Sequence, residues 1–223
     1  MKRSGKASLN RPFIITDVNT ETLDEASLTI TAEMTNHSSE RKKMTLEASV
    51  ENISVKDDFF VDAEQTITAT LSPEKYKQLV MNNPRLWWPN GLGEPEMYTL
   101  HLSLKADNRL ADSSSVRFGI RKYDTYINAQ GARGYKINGR EVLMKNAGWV
   151  DDFFLRDNTR SNRAQIRYVK EMNLNSLRFE GFWGNSQEIY DLCDENGIML
   201  MVGWSCQWDL CGRWEVMQCQ NLH

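Results

Sequence analysis

The strongest constraint on the fold of this chain is a change in hydrophobic period near residue 121. Before that point apolar and polar residues alternate, for example over residues 26–34 and 44–50, which is typical of strands with one buried and one solvated face. After that point short apolar runs are separated by segments in which apolar residues recur at helical spacing. A chain of 223 residues with two such periods is expected to form two different architectures.

The first part, residues 12–121, is predicted to be an immunoglobulin-like antiparallel β-sandwich. Strand-like runs joined by short polar turns are the usual pattern of this fold. This part contains no cysteine, so the disulfide of antibody domains is absent. Residues 1–11 show no regular pattern and are predicted to be a flexible lead-in. Besides the two alternating segments given above, the strand-like runs are 13–18, 65–71, 98–104 and 116–120.

The second part, residues 122–223, is predicted to hold the first β/α units of an incomplete (β/α)8 (TIM) barrel, with about three strands. Asn138-Gly139 between two strand-like runs predicts a hairpin. Alternating strands and helices follow, as in a parallel β/α sheet, and a doubly wound sheet is the alternative. The predicted fold class is therefore multidomain β and α/β. The elements are a strand at 142–145, a helix at 161–172, a strand at 175–179, a helix capped by Ser186 and closed by Asn196-Gly197, and a buried strand at 198–202.

Composition and motifs argue against several classes of function. Lysine and arginine number 27 against 30 aspartates and glutamates, a balance that argues against a nucleic-acid partner. No apolar run reaches the roughly 18 residues of a membrane span, so no membrane insertion is expected. No glycine-rich phosphate-binding motif is present, and no cofactor is predicted. The first ten residues lack the apolar core of a signal peptide and do not identify the compartment.

The four cysteines lie close together near the end of the sequence, and no metal site is predicted from them. They form no Cys-x-x-Cys pair and the three histidines are distant in sequence, whereas a zinc site needs three or four ligands at recognisable spacing. Two alternatives stay open: buried free thiols, or one disulfide among the last three cysteines if the chain is exported. The residues are Cys193, Cys206, Cys211 and Cys219.

Candidate ligand-binding residues follow the predicted parallel strands, because ligands bind at the C-terminal ends of such strands. Three stretches there combine tryptophan with carboxylates or charge, and they are residues 146–152, 178–183 and 203–209. Aromatic faces stack on sugar rings, and carboxylates accept hydrogen bonds from hydroxyl or amino groups. The combination favours a polar, ring-shaped ligand over a phosphorylated one.

Each of these residues also has a structural interpretation. Trp149 and Trp204 are equally consistent with core positions at a barrel mouth. Arg178 and Glu180 have the same parity on one strand, so a structural salt bridge between them is an alternative to ligand binding. The aspartates at 151–152 are consistent with a simple loop feature.

Several segments resemble glycoside hydrolase family 2. Residues 83–93 and 116–121, followed by the hairpin at 137–139, are similar to the end of the immunoglobulin-like domain of that family. The β-mannosidase branch tends to carry Trp-Gly-Gly after the arginine of the second barrel strand, where this chain has Phe-Glu-Gly. Three segments of the second part look most like the exo-β-D-glucosaminidase branch of the family. They are residues 148–149 together with 154–156, residues 177–181, and residues 199–204.

The resemblance implies a sandwich followed by a TIM barrel that hydrolyses glycosides with retention, using two carboxyl groups about 5–5.5 Å apart. In the family these groups come from barrel strands four and seven, which lie beyond the three strands expected here. No catalytic residue is therefore assigned, and the isolated chain is expected to be inactive. By position, Arg178 corresponds to the family arginine near the nucleophile, and Glu180 to an acidic position that meets the 2-amino group of the substrate. Trp149 and Trp204 complete the predicted substrate-binding residues.

The resulting prediction is a portion of a retaining glycosidase that removes β-linked glucosamine from the non-reducing ends of chitosan-type oligosaccharides. Its parent enzyme is expected to be periplasmic or secreted. The alternatives are a β-mannosidase or β-galactosidase of the same family, or a non-catalytic sandwich module that binds sugar or protein. Three strands out of eight leave an open sheet edge, so self-association through that edge is also expected.

Overall fold

The computed structural model describes residues 6–150, 152, 154, 156, 158–179 and 187–202, and the chain divides into two compact units. The first unit comprises Met1–Trp88 and Glu94–Leu143, and the second comprises Pro89–Gly93 and Met144–His223. The predicted boundary near residue 121 therefore lies too early, because residues 122–143 group with the first unit. Neither of the two helices in the described part of the chain is long and apolar enough to cross a membrane.

The first unit contains two antiparallel sheets, one with the order β1-β2-β5 and β6 paired to β2, the other with the order β4-β3-β7-β8. The predicted antiparallel sandwich is confirmed. Its strands are β1 (Ala7–Val18), β2 (Glu25–Asn36), β3 (Lys42–Val50), β4 (Ile53–Val61), β5 (Thr66–Leu71), β6 (Val80–Asn82), β7 (Tyr98–Ala106) and β8 (Arg109–Phe118).

The sandwich core comes directly from the alternation in the sequence. Every second residue of β2, β3 and β7 points inward, and their rows meet in one cluster that excludes water. Burying each leucine, isoleucine or methionine stabilises the fold by about 1.5–3 kcal/mol. The central members of these rows are Leu28, Ile30, Met34, Met44, Leu46, Leu100, Leu102 and Leu104, all of them at most 2% exposed.

The sandwich begins at Ala7, so the prediction of a flexible lead-in over residues 1–11 conflicts with β1 from Ala7 onward. Ala7 and Leu9 are buried and pair with β2. The register shifts between Asn10 and Phe13, and Arg11 has φ of 44°, which marks a β-bulge. The bulge interrupts the period-two alternation, so the alternation does not predict the part of β1 that precedes the bulge.

A three-stranded antiparallel sheet completes the first unit, with strands β9 (Tyr123–Ile127), β10 (Arg133–Ile137) and β11 (Arg140–Val142). The predicted hairpin is confirmed, because Asn138 and Gly139 have φ of 49° and 77°, as a two-residue turn of this kind needs. Asn138 is also buried: its Oδ1 accepts from the backbone N–H of Lys122 at 2.8 Å, and its Nδ2 donates to the carbonyl of Trp87 at 3.1 Å.

The second unit has three parallel strands in the order β12-β13-β14, which are β12 (Asn146–Trp149), β13 (Ser176–Phe179) and β14 (Met199–Val202). Between them lie helices α1 (Thr159–Glu171) and α2 (Glu188–Glu195). The expected order of strands and helices is confirmed, but the first strand lies at 146–149 and not at 142–145. The predicted cap of α2, Ser186, lies outside the described residues.

Candidate functional site

The parallel sheet presents two chemically different faces. Both helices pack on one face, where Ile166 and Val169 of α1 and Ile189 of α2 are buried in one apolar cluster. The sheet contributes alternate residues to this cluster, which are Ala147, Trp149, Leu177, Phe179 and Leu200. The intervening residues share the other face, called here the open face, and they are Asn146, Gly148, Ser176, Arg178, Met199 and Met201.

Arg178 lies in the middle strand of the open face. In register it is paired with Gly148 of β12 and Met201 of β14. Its side chain is exposed, although both neighbours of Arg178 along β13, Leu177 and Phe179, are buried. A guanidinium keeps its charge and offers five hydrogen-bond donors in a fixed fork, which suits the hydroxyl and carboxylate oxygens of a polar ligand.

Trp149 lies on the opposite face from Arg178. Its register partner is Phe179, and the two rings are 5.5 Å apart at an interplanar angle of 56°. Trp149 is 9% exposed and belongs to the cluster between the sheet and the helices. The structure therefore does not bring Trp149 and Arg178 together on one face, and the packing supports the structural interpretation of this tryptophan.

The remaining predicted substrate-binding residues, Glu180 and Trp204, lie outside the described residues. The same holds for Asp151 and for Cys206, Cys211 and Cys219, so the disulfide alternative stays a prediction. The salt bridge between Arg178 and Glu180 is likewise untested.

The loop after β12 contains one defined ion pair. Asp152 accepts hydrogen bonds from Nε and Nη2 of Arg156, both at 3.0 Å, and from the backbone N–H of Phe154 at 2.9 Å. The hydrogen bonds from Arg156 make the largest contribution to a lowered pKa of the Asp152 carboxyl, which is about 2, and the bond from Phe154 adds to it. The interpretation of this aspartate as a loop feature fits the geometry, because a carboxylate held ionised by arginine is a poor proton donor.

Cys193 has the properties of a structural thiol. It is buried in the cluster between α2 and the sheet, and this burial raises its pKa to about 12. A thiol with such a pKa carries almost no thiolate at neutral pH and is a poor nucleophile there.

Asn90 was missed by sequence reasoning, although its segment, residues 89–93, belongs to the second unit. Its Nδ2 donates to the carbonyls of Lys170 at 3.1 Å and Leu174 at 2.9 Å, beside the C-terminal end of α1. Its backbone N–H donates to the carbonyl of Gly197, after α2, at 2.8 Å. One residue thus ties the backbone at the C-terminal end of α1 to the turn that follows α2.

The comparisons with known proteins cover both units. Residues 7–121 match the model of Glycosyl hydrolases family 2. The chain is 34% identical over 215 residues to an exo-beta-D-glucosaminidase of Streptomyces avermitilis, which covers 96% of this chain and 23% of that protein. The crystal structure of the exo-chitosanase CsxA of Amycolatopsis orientalis matches with a TM-score of 0.84 and 29% identity, over 92% of this chain and 23% of that one.

A beta-D-mannosidase from Dictyoglomus thermophilum is also similar, with a TM-score of 0.74 and 27% identity over 90% of this chain and 25% of that one. An antiparallel sandwich followed by a parallel β/α unit is thus an architecture shared with glycoside hydrolases. The chain belongs to glycosyl hydrolase family 2, as its resemblance predicted. It spans about a quarter of the length of the relatives it matches.

Proposed function

We propose that this chain is the sandwich and the first barrel segment of a retaining exo-β-D-glucosaminidase that acts on chitosan-type oligosaccharides. The observation that carries the proposal is the identity to an exo-beta-D-glucosaminidase across 96% of the chain, which includes the β/α unit with Arg178 as well as the sandwich. Arg178 on the open face supports it, because an exposed cation between two parallel neighbours is suited to a polar ligand.

The arrangement of the second unit supports a barrel over a doubly wound sheet. The strands follow in sequence order and both helices lie on the same face. A doubly wound sheet reverses strand order and carries helices on both faces, whereas a barrel adds each strand in sequence with its helices outside. On this proposal the open face lines the barrel interior, and later strands supply both catalytic carboxyl groups.

Substrate selection is proposed to depend on Glu180, which lies two positions after Arg178 in the sequence. A carboxylate beside a protonated 2-amino group forms a charge-assisted hydrogen bond, roughly twice as strong as a neutral one. Glucosaminides are then preferred over glucosides and mannosides, which carry a hydroxyl at that carbon.

The test is a comparison of kcat/KM for aryl β-glucosaminide, β-mannoside and β-galactoside, using the full-length protein that contains this chain. The glucosaminide is expected to be the best substrate, and Glu180→Gln should remove that preference while Glu195→Gln, an exposed glutamate of α2, should leave it intact. A mannoside preference would identify the alternative that the similarity to a beta-D-mannosidase favours. No hydrolysis of any of the three would favour the non-catalytic module.

The isolated chain is proposed to be inactive and to associate through its sheet edges. In the described part of the chain β12 and β14 each pair with one strand only, and Val202 on β14 is 59% exposed. Unpaired edges with apolar side chains favour pairing with another chain. Sedimentation should show oligomers, or limited proteolysis should cleave residues 144–202 before the sandwich. A monomer in which both units resist protease equally would contradict this proposal.

A further inference from the structure

Gly148 occupies a strand position at which the backbone does not require glycine. Its φ lies outside the left-handed region, and β12 pairs with β13 in unbroken register from Asn146 to Trp149. The position therefore contains neither a bulge nor a turn. Glycine inside a regular strand costs roughly 0.5–1 kcal/mol relative to alanine, so the local structure alone favours a larger residue.

The packing around Gly148 does not require glycine either. Among the described residues, no heavy atom lies within 4 Å of the position that a Cβ on Gly148 would take. By contrast, a Cβ on Gly119 would lie 2.7 Å from the side chain of Trp87. Gly119 is thus explained by a close approach of Trp87, whereas none of the described residues approaches Gly148 in this way.

The space at Gly148 opens beside Arg178. The two residues are register partners, so a side chain at 148 would share the open face with the guanidinium of Arg178. Met201, the partner of Arg178 on β14, reaches across the open face toward the beginning of β12, where its sulfur lies 3.7 Å from Nδ2 of Asn146. That contact precedes Gly148 along β12, and no described heavy atom lies within 4 Å of the Cβ position of Gly148.

Glycine in a regular strand often marks the close approach of a ligand or of another backbone. No described backbone approaches Gly148, which leaves a ligand. We propose that Gly148 is a steric determinant of substrate binding, and that its missing side chain leaves the space in which the sugar ring reaches Arg178. This inference rests on the proposed function. The sugar ring is then expected to lie against the backbone of β12. Each carbon added to the side chain at position 148 should displace the ring from that place.

The experiment uses the full-length protein with Gly148→Ala and Gly148→Val, and Thr125→Val in exposed β9 as the matched control. Steady-state hydrolysis of an aryl β-glucosaminide and the thermal midpoint are measured for each. We expect KM to rise with side-chain size, with kcat/KM at least about tenfold lower for Gly148→Val, a typical effect of one misplaced group in a pocket. The thermal midpoint should stay at or above that of the wild type, and the control should match the wild type in both measurements.

Three outcomes overturn the inference. Unchanged kcat/KM in Gly148→Val would mean that no substrate group approaches this position. A lower thermal midpoint together with lower activity would mean that another part of the protein fills the space. If the wild type hydrolyses no glycoside at all, the proposed function fails and the inference fails with it, whereas the first two outcomes leave the proposed function intact.

Discussion

Replacing Asn90 with alanine should loosen the second unit and leave the sandwich strands unchanged. The substitution keeps the backbone hydrogen bond to Gly197 but removes both bonds from Nδ2, to Lys170 and Leu174. Each neutral hydrogen bond contributes about 0.5–1.5 kcal/mol net. Because Asn90 is half-buried and one of the two bonds is exposed to water, we expect a loss of about 1–2 kcal/mol. A loss of that size lowers the thermal midpoint by about 2–8 °C in a chain of this length.

Hydrogen exchange of the purified chain locates the effect. Amides of α1 and of β13 should exchange faster in Asn90→Ala, whereas those of β2 and β3 should exchange as in the wild type. Asn82→Ala, which replaces an exposed asparagine of β6, is the matched control and should change neither region. The reasoning is refuted if the thermal midpoint is unchanged, or if protection falls equally in the sandwich strands.

Three further predictions concern single side chains of the second unit. Ser176 is fully buried, and its hydroxyl finds no hydrogen-bond partner among the described residues. Ser176→Ala should therefore raise the free energy of unfolding, measured by denaturant titration, by about 1 kcal/mol, and a lower value would contradict this. The pKa of Asp152 is about 2, below its usual 3.8, so the stabilisation from this carboxylate is present above pH 3.8 and is lost as pH falls through about 2. NMR titration of Asp152 should show that midpoint. Arg156→Gln should raise the midpoint, and an unchanged midpoint in this variant would exclude the arginine as the cause. Because the pKa of Cys193 is raised to about 12, iodoacetamide at pH 8 should modify it, by mass mapping, only after denaturation; equal labelling of the folded chain would show that the thiol is accessible.

The sequence predicts the strands whose inward residues alternate without interruption. Over residues 25–35 of β2 and 43–50 of β3 each inward position is apolar and each outward one is polar, so the period alone is sufficient. β4 was not predicted, because Asp57-Asp58 followed by Phe59-Phe60 breaks the alternation, and Phe60 is exposed. Its position is defined by nine register pairs with β3 across a two-residue turn at 51–52, where Glu51 has φ of 50°. That turn, Glu51-Asn52, lacks the glycine that marks a tight hairpin in a sequence.

The candidate site depends on a strand boundary that propensity does not determine. The residues of β12, Asn-Ala-Gly-Trp, contain no apolar run, and their register is set by hydrogen bonding to β13. The apolar run predicts the first strand at 142–145, which puts Trp149 after the strand end among the candidate ligand contacts. β12 instead ends at Trp149 itself, and its register places Trp149 opposite Phe179 in the helix-facing cluster. Asn90 has no local signal, because its three acceptors lie 80 or more residues away.

The central proposal is that the β/α unit carrying Arg178 belongs to a glucosamine-specific glycosidase. It is tested most directly by the ratio of kcat/KM for aryl β-glucosaminide to that for aryl β-mannoside, measured on the full-length protein with and without Glu180→Gln. We expect a ratio well above one for the wild type and a ratio near or below one for the variant. A wild-type ratio below one, or a ratio that Glu180→Gln leaves unchanged, would contradict it.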